Sequence, residues 1–194
     1  MLKLVIGEIK NVIRNWDEIV ILEGFKAAKG CVDESTEMDN ILDVEERPER
    51  EEVGPHLSTL YNHRVNLQAT ISKLASQLSI HVVAWADRET YDFVFIEPLW
   101  LTWTLEHFVN TISSLIPHHT YHLAELSVLA STILDPATAF DDAKYALEAW
   151  RDLATGGERW EAVREWEELV EVELTKAEEE EEEEDSAKGR KKRR

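Results

Sequence analysis

The chain has 194 residues, is 43% hydrophobic with seven Trp, and carries a formal charge of −19 at pH 7. That supplies apolar material for one ordinary core and a tail, and it excludes wholesale disorder. A single cysteine, Cys31, excludes an internal disulfide framework, and no run of about 18 uncharged apolar residues exists to form a membrane-spanning helix.

The fold class read from hydrophobic periodicity is mainly α, an irregular bundle of five or six helices. The N-terminal run MLKLVIGEIKNVIRNWDEIVILEG is charged every few residues and does not read as a signal peptide. Within it Val5, Ile9, Val12, Ile13, Trp16, Ile19 and Val20 mark one face of an amphipathic helix. Gly24 and Gly30 read as its fading end, so residues 1–28 form an N-terminal helix packed on the bundle. Residues 29–55 are rich in acids and punctuated by Pro48, Gly54 and Pro55. They read as a flexible acidic linker with a short helical turn near Met38–Val44.

A helical domain follows over 56–176. Leu60, Leu67, Ile71, Leu74 and Leu78 form a seam that Arg64 interrupts. Around 80–96, β-branched and aromatic residues flank "DRET", which suggests one short β-hairpin or the joint between two helices. Pro98 suits a first helical turn. The broad apolar stripe through Leu101, Leu105, Phe108, Ile112 and Leu115 then predicts a buried helix ended by Pro117. A further helix spans Thr120–Leu134. Asp135 and Pro136 read as the start of the next, with Phe140, Ala143, Leu147 and Trp150 inward and Gly156–Gly157 as its stop. In the last helix Trp160, Val163, Val170 and Leu174 share one side. Residues 177–194 read as a disordered acidic and basic tail.

Motifs that carry chemistry are sparse. His118 and His122 are four apart, with His107, Glu106 and Glu125 near in sequence, and form a weak zinc candidate. There is no HExxH, CxxC, GxSxG or phosphate-cradling glycine loop. Cys31, among acids, reads as an unreactive thiol. No catalytic residue and no cofactor is expected, and the chain reads as not an enzyme. Trp160 and Trp166 are six apart, about 120° around a helix axis, so one neighbouring surface does not bury both. They are the candidate partner-binding residues, because Trp is enriched in interfaces.

The tail joins seven Glu and Asp185 to Lys188, Arg190, Lys191, Lys192, Arg193 and Arg194. Those eight acids and six bases nearly cancel, so residues 1–177 hold −17 of the total. A body of that sign disfavours direct nucleic-acid binding and attracts Lys/Arg-rich protein partners. The basic run reads as a nuclear-import signal and places the chain in the nucleus or nucleolus. Two functions follow as expectations. One is a non-enzymatic helical interaction subunit or adaptor of a nuclear assembly, and the other an acidic chaperone of a basic client such as a histone or ribosomal protein. A metal-dependent enzyme is a third and weaker reading. No membrane association is expected.

Overall fold

The computed structural model describes residues 2–42, 50–79 and 95–191, with side chains for 2–41, 54–76 and 95–175. The fold is mainly helical, with no strand among the described residues. Of the hairpin expected near 80–96, residues 80–94 lie outside the described residues, and Phe95 and Ile96 are helix and turn. The helices are α1 (Leu2–Glu18), a π-helical turn (Ile19–Gly24), α2 (Phe25–Leu42), α3 (Arg50–Ser79), α4 (Leu105–Leu134), α5 (Phe140–Thr155) and α6 (Glu158–Lys191). None of them is long and apolar enough to cross a membrane. The chain divides into two compact units, Met1–Val83 with His119–Gly157, and Ala84–His118 with Glu158–Arg194.

In the first unit α2 packs on α3 and α5, and the π-helical turn packs on the same two helices. The core contains Trp16, Ile19 and Val20, then Ala27, Ala28, Cys31 and Val32, the α3 seam Leu60, Leu67 and Leu74, and Leu126, Ile133, Ala146 and Trp150. Trp150 is fully buried. Its indole N–H donates to the Val20 carbonyl at 3.2 Å. The same carbonyl accepts the N–H of Phe25, five residues on, which is the π-helical pattern.

Gly24 and Gly30 were expected to end the first helix, and the chain is helical through both. They are packing notches. A Cβ at Gly24 would stand 2.6 Å from Cζ2 of Trp150, and one at Gly30 would stand 2.4 Å from Nδ1 of His63. Likewise, residues 29–42 of the expected acidic linker form α2. Cys31 and Val32 face the core, while Asp33, Glu37 and Asp39 are exposed and Glu34 is half-buried. Lys29 bonds Asp33, and Glu34 meets His56 of α3 at 2.6 Å. The turn expected near Met38–Val44 is helix through Leu42. α3 begins at Arg50 and runs through Gly54 and Pro55, both read from sequence as breaks.

Pro117 was expected to end a helix, yet α4 continues through it to Leu134. Proline removes the N–H that would bond the carbonyl of Ser113 and its ring crowds that carbonyl, a cost that burial of the apolar stripe on either side offsets. The division between the two units falls one residue later, at His118/His119. Asp135 does not cap α5. Its Oδ1 accepts the N–H of Ala137 at 2.9 Å and closes a turn, and α5 starts at Phe140. Phe140, expected inside, is 47% exposed, and the buried residues of α5 are Ala146, Trp150 and Ala154. Gly157 ends the element with φ at +88°, a conformation that glycine adopts without steric cost.

In the second unit, Phe108, Leu115, Val163, Trp166 and Val170 are buried. α4 starts at Leu105 rather than Pro98. Thr104 precedes it, and its hydroxyl accepts the N–H of His107 at 3.2 Å, an N-terminal cap. α6 reaches Lys191, so the segment expected to be disordered is helical from 177 to that residue.

Candidate functional site

The histidine cluster is built on α4, where Trp16 of α1 meets it. The Trp16 indole N–H donates to Nδ1 of His122 at 3.2 Å. Nε2 of His122 lies 3.2 Å from the carbonyl of Leu153, which can only accept. The ring is therefore the neutral Nε2–H tautomer, with both nitrogens engaged. His119 stands edge-on to Trp16, with ring centroids 5.0 Å apart at 88°. His118 is half-buried, and its Nδ1 is 3.7 Å from a carboxylate oxygen of Glu158. His107 meets Trp103 edge-on, with ring centroids 4.5 Å apart. The two zinc candidates thus sit on one helix but point to different partners, and His122 belongs to the core. Among the described residues no group of three or more His, Cys, Asp or Glu is placed to hold a metal ion.

Cys31 is buried on α2. Burial pushes its thiol up to about 11, against the opposing pull of the Arg64 guanidinium. The expected inertness has a different cause from the acidic neighbourhood read in the sequence, since the charged neighbour is basic. Arg64, the interruption in the α3 seam, is half-buried, and no hydrogen bond reaches its Nε.

The most organised polar arrangement is one that sequence reasoning missed. The Glu173 carboxylate, only 2% exposed, accepts the N–H groups of Leu101 at 3.0 Å and Thr102 at 3.1 Å and the Thr102 hydroxyl at 2.6 Å. Burial alone would raise this carboxyl. The Thr102 hydroxyl and the N–H groups of Thr102, Leu101 and Trp103 more than offset that, and hold it below the ordinary carboxylate range. The clasp fixes residues 99–104 as a turn, with Leu99 N–H bonding the Trp103 carbonyl at 2.9 Å. Trp100 and Trp103 then meet Phe108 edge-on, with ring centroids 5.2 and 4.9 Å away. Its only sequence signal was register: position 173 continues the steps of Val163, Trp166 and Val170. Arg159, also buried, begins the same stripe.

The two candidate tryptophans separate. Trp166 is 4% exposed within the second unit, so it is a core residue rather than a surface anchor. Trp160 is 37% exposed, with the Arg164 guanidinium 5.4 Å from its ring centroid. Arg164 in turn lies 3.7 Å from Glu168. Lys188, Arg190 and Lys191 of the basic run lie on the last turns of α6, and Lys192, Arg193 and Arg194 lie outside the described residues. No family model, no curated protein and no solved structure matches the chain.

Proposed function

We propose that this chain is a non-enzymatic helical subunit or adaptor of a nuclear or nucleolar assembly, an irregular bundle that presents protein-binding surfaces. The observation that carries this reading is Trp160, exposed under Arg164 on a helix whose outer residues are largely glutamate, because exposed Trp and Arg are the residue types that dominate interface energetics. Support also comes from inside: the buried His122, Glu173 and Cys31 are each committed to packing or hydrogen bonding within their own unit. The basic run 188–194 supports nuclear import. The partner is a protein, and the −17 body favours one rich in Lys and Arg.

The acidic chaperone of a basic client is the second reading, favoured by the size of that charge. Affinity purification of the full chain at low and high salt, with mass spectrometry of what co-purifies, separates the two. For an adaptor, Trp160→Ala weakens the partner by about 2 kcal/mol or more, and salt changes binding little. For a chaperone, binding falls steeply with salt and loosens when 178–185 is deleted or the acids of 43–52 are neutralised. Retention of every partner by Trp160→Ala, with no salt response, counts against both.

A further inference from the structure

Between Glu52 and Asp87 the chain contains no aspartate or glutamate, although it holds 40 of them in 194 residues. From Val53 to Ser79 helix α3 lies in that interval, with Leu60, Leu67 and Leu74 turned into the core. Away from the core, Leu57, Tyr61, Val65, Gln68 and Ser72 follow at steps of four, four, three and four, and all five are exposed. At 100° per residue they occupy an arc of about 80°. The three large ones are 51%, 68% and 43% exposed. Between His56 and Lys73 the charged and basic groups of α3 lie off this face or at its margin. Lys73 pairs with Glu23 at 2.7 Å, His56 with Glu34 at 2.6 Å, His63 packs on Gly30, and Arg64 lies beside Cys31.

We propose that this face of α3 pairs with the same face of a second copy of the chain, the two helices antiparallel about a two-fold axis near Val65. Charge selects the occupant. Two bodies of −19 repel, and the outer faces of α5 and α6 would bring carboxylates together, Asp141, Glu148 and Asp152 on α5 and Glu161, Glu165 and Glu168 on α6. The α3 face brings none. It offers no acid to a basic partner, and to an acidic partner only Lys73, already paired, and the half-buried Arg64. What remains is an uncharged partner face, and a second copy supplies one.

Size selects the orientation. An antiparallel register about Val65 brings Leu57 within one residue of the level of Ser72 and Tyr61 within one residue of that of Gln68 of the second copy, with Val65 on Val65 at the axis. Large residues meet small or polar ones, and the Tyr61 hydroxyl meets an amide. The contact from 57 to 72 extends about 22 Å, some four helical turns.

Sedimentation equilibrium of the full chain at low and high salt tests this. A monomer–dimer equilibrium is expected that tightens with salt, as screening removes the repulsion between bodies. Val65→Glu sets two carboxylates together at the axis. It is expected to weaken the dimer by about tenfold or more with unchanged helical circular dichroism. Tyr145→Glu, on the exposed side of α5, leaves it intact. Under mild oxidation Val65→Cys links to itself, Ser72→Cys alone does not, and Ser72→Cys mixed with Leu57→Cys does. A wild type that stays monomeric at every salt concentration, a dimer indifferent to Val65→Glu, or a self-linking Ser72→Cys overturns the proposal.

Discussion

His122 shows how a residue type misleads when its surroundings are unseen. Spacing of four from His118 matched a ligand pair, but the ring is an acceptor for Trp16 and a donor to Leu153. His122→Phe keeps the ring and removes both nitrogens, leaving the buried Trp16 N–H without that acceptor. A loss of about 1–3 kcal/mol is expected in urea unfolding. Adding Trp16→Phe is expected to recover part of it, because the pair is coupled. Glu173 is the converse case, a glutamate among many that is not a surface group. Its carboxyl is held below its ordinary range, so the stability it contributes is present above the unfolded carboxylate pKa and lost as pH falls through the folded one. Glu173→Gln, whose amide turns an N–H toward N–H donors, is expected to cost about 1–3 kcal/mol at neutral pH. The gap from wild type should close as unfolding is repeated at decreasing pH; a pH-independent gap refutes the role of the charge.

At the scale of elements, glycine and proline had been read as punctuation, and several of them lie within helices. Gly24, Gly30, Pro55 and Pro117 all do so, and only Gly157 takes a conformation that terminates one. The reason is packing, since the Gly24 notch holds the Trp150 ring on the π-helical turn. Two glycines should therefore respond to alanine with opposite signs. Gly7, on α1 with nothing within 4 Å of an added Cβ, is expected to gain about 0.4–1 kcal/mol as Gly7→Ala. Gly24→Ala, which pushes a Cβ against a fully buried indole, is expected to lose about 1–3 kcal/mol. Thermal melts of the two variants decide the matter, and a gain at both positions would refute the notch.

At the scale of the whole molecule, charge sets the terms of association. The two tests described above run in opposite directions with ionic strength. Capture of a basic client weakens as salt rises, because it rests on attraction between unlike charges. Pairing through α3 strengthens, because salt screens repulsion between like bodies and leaves an uncharged contact untouched. A titration of both in the same buffers therefore separates two surfaces of one protein.

Periodicity by itself determined the helical class, the α3 seam through Leu60, Leu67 and Leu74, the burial of Trp16 and Trp150, and the stop at Gly156–Gly157. Each depends on apolar residues repeating at the helical period or on local backbone geometry, and both are written in neighbouring residues. Tertiary structure decided what local pattern does not encode. It decided that Glu173 and Arg159 belong to a buried stripe, that Trp166 lies inside and Trp160 outside, and that residues 29–42 continue a helix. A charged side chain enters a core only when partners distant in sequence receive it, and a glycine stays helical when a distant ring fills the space beside it.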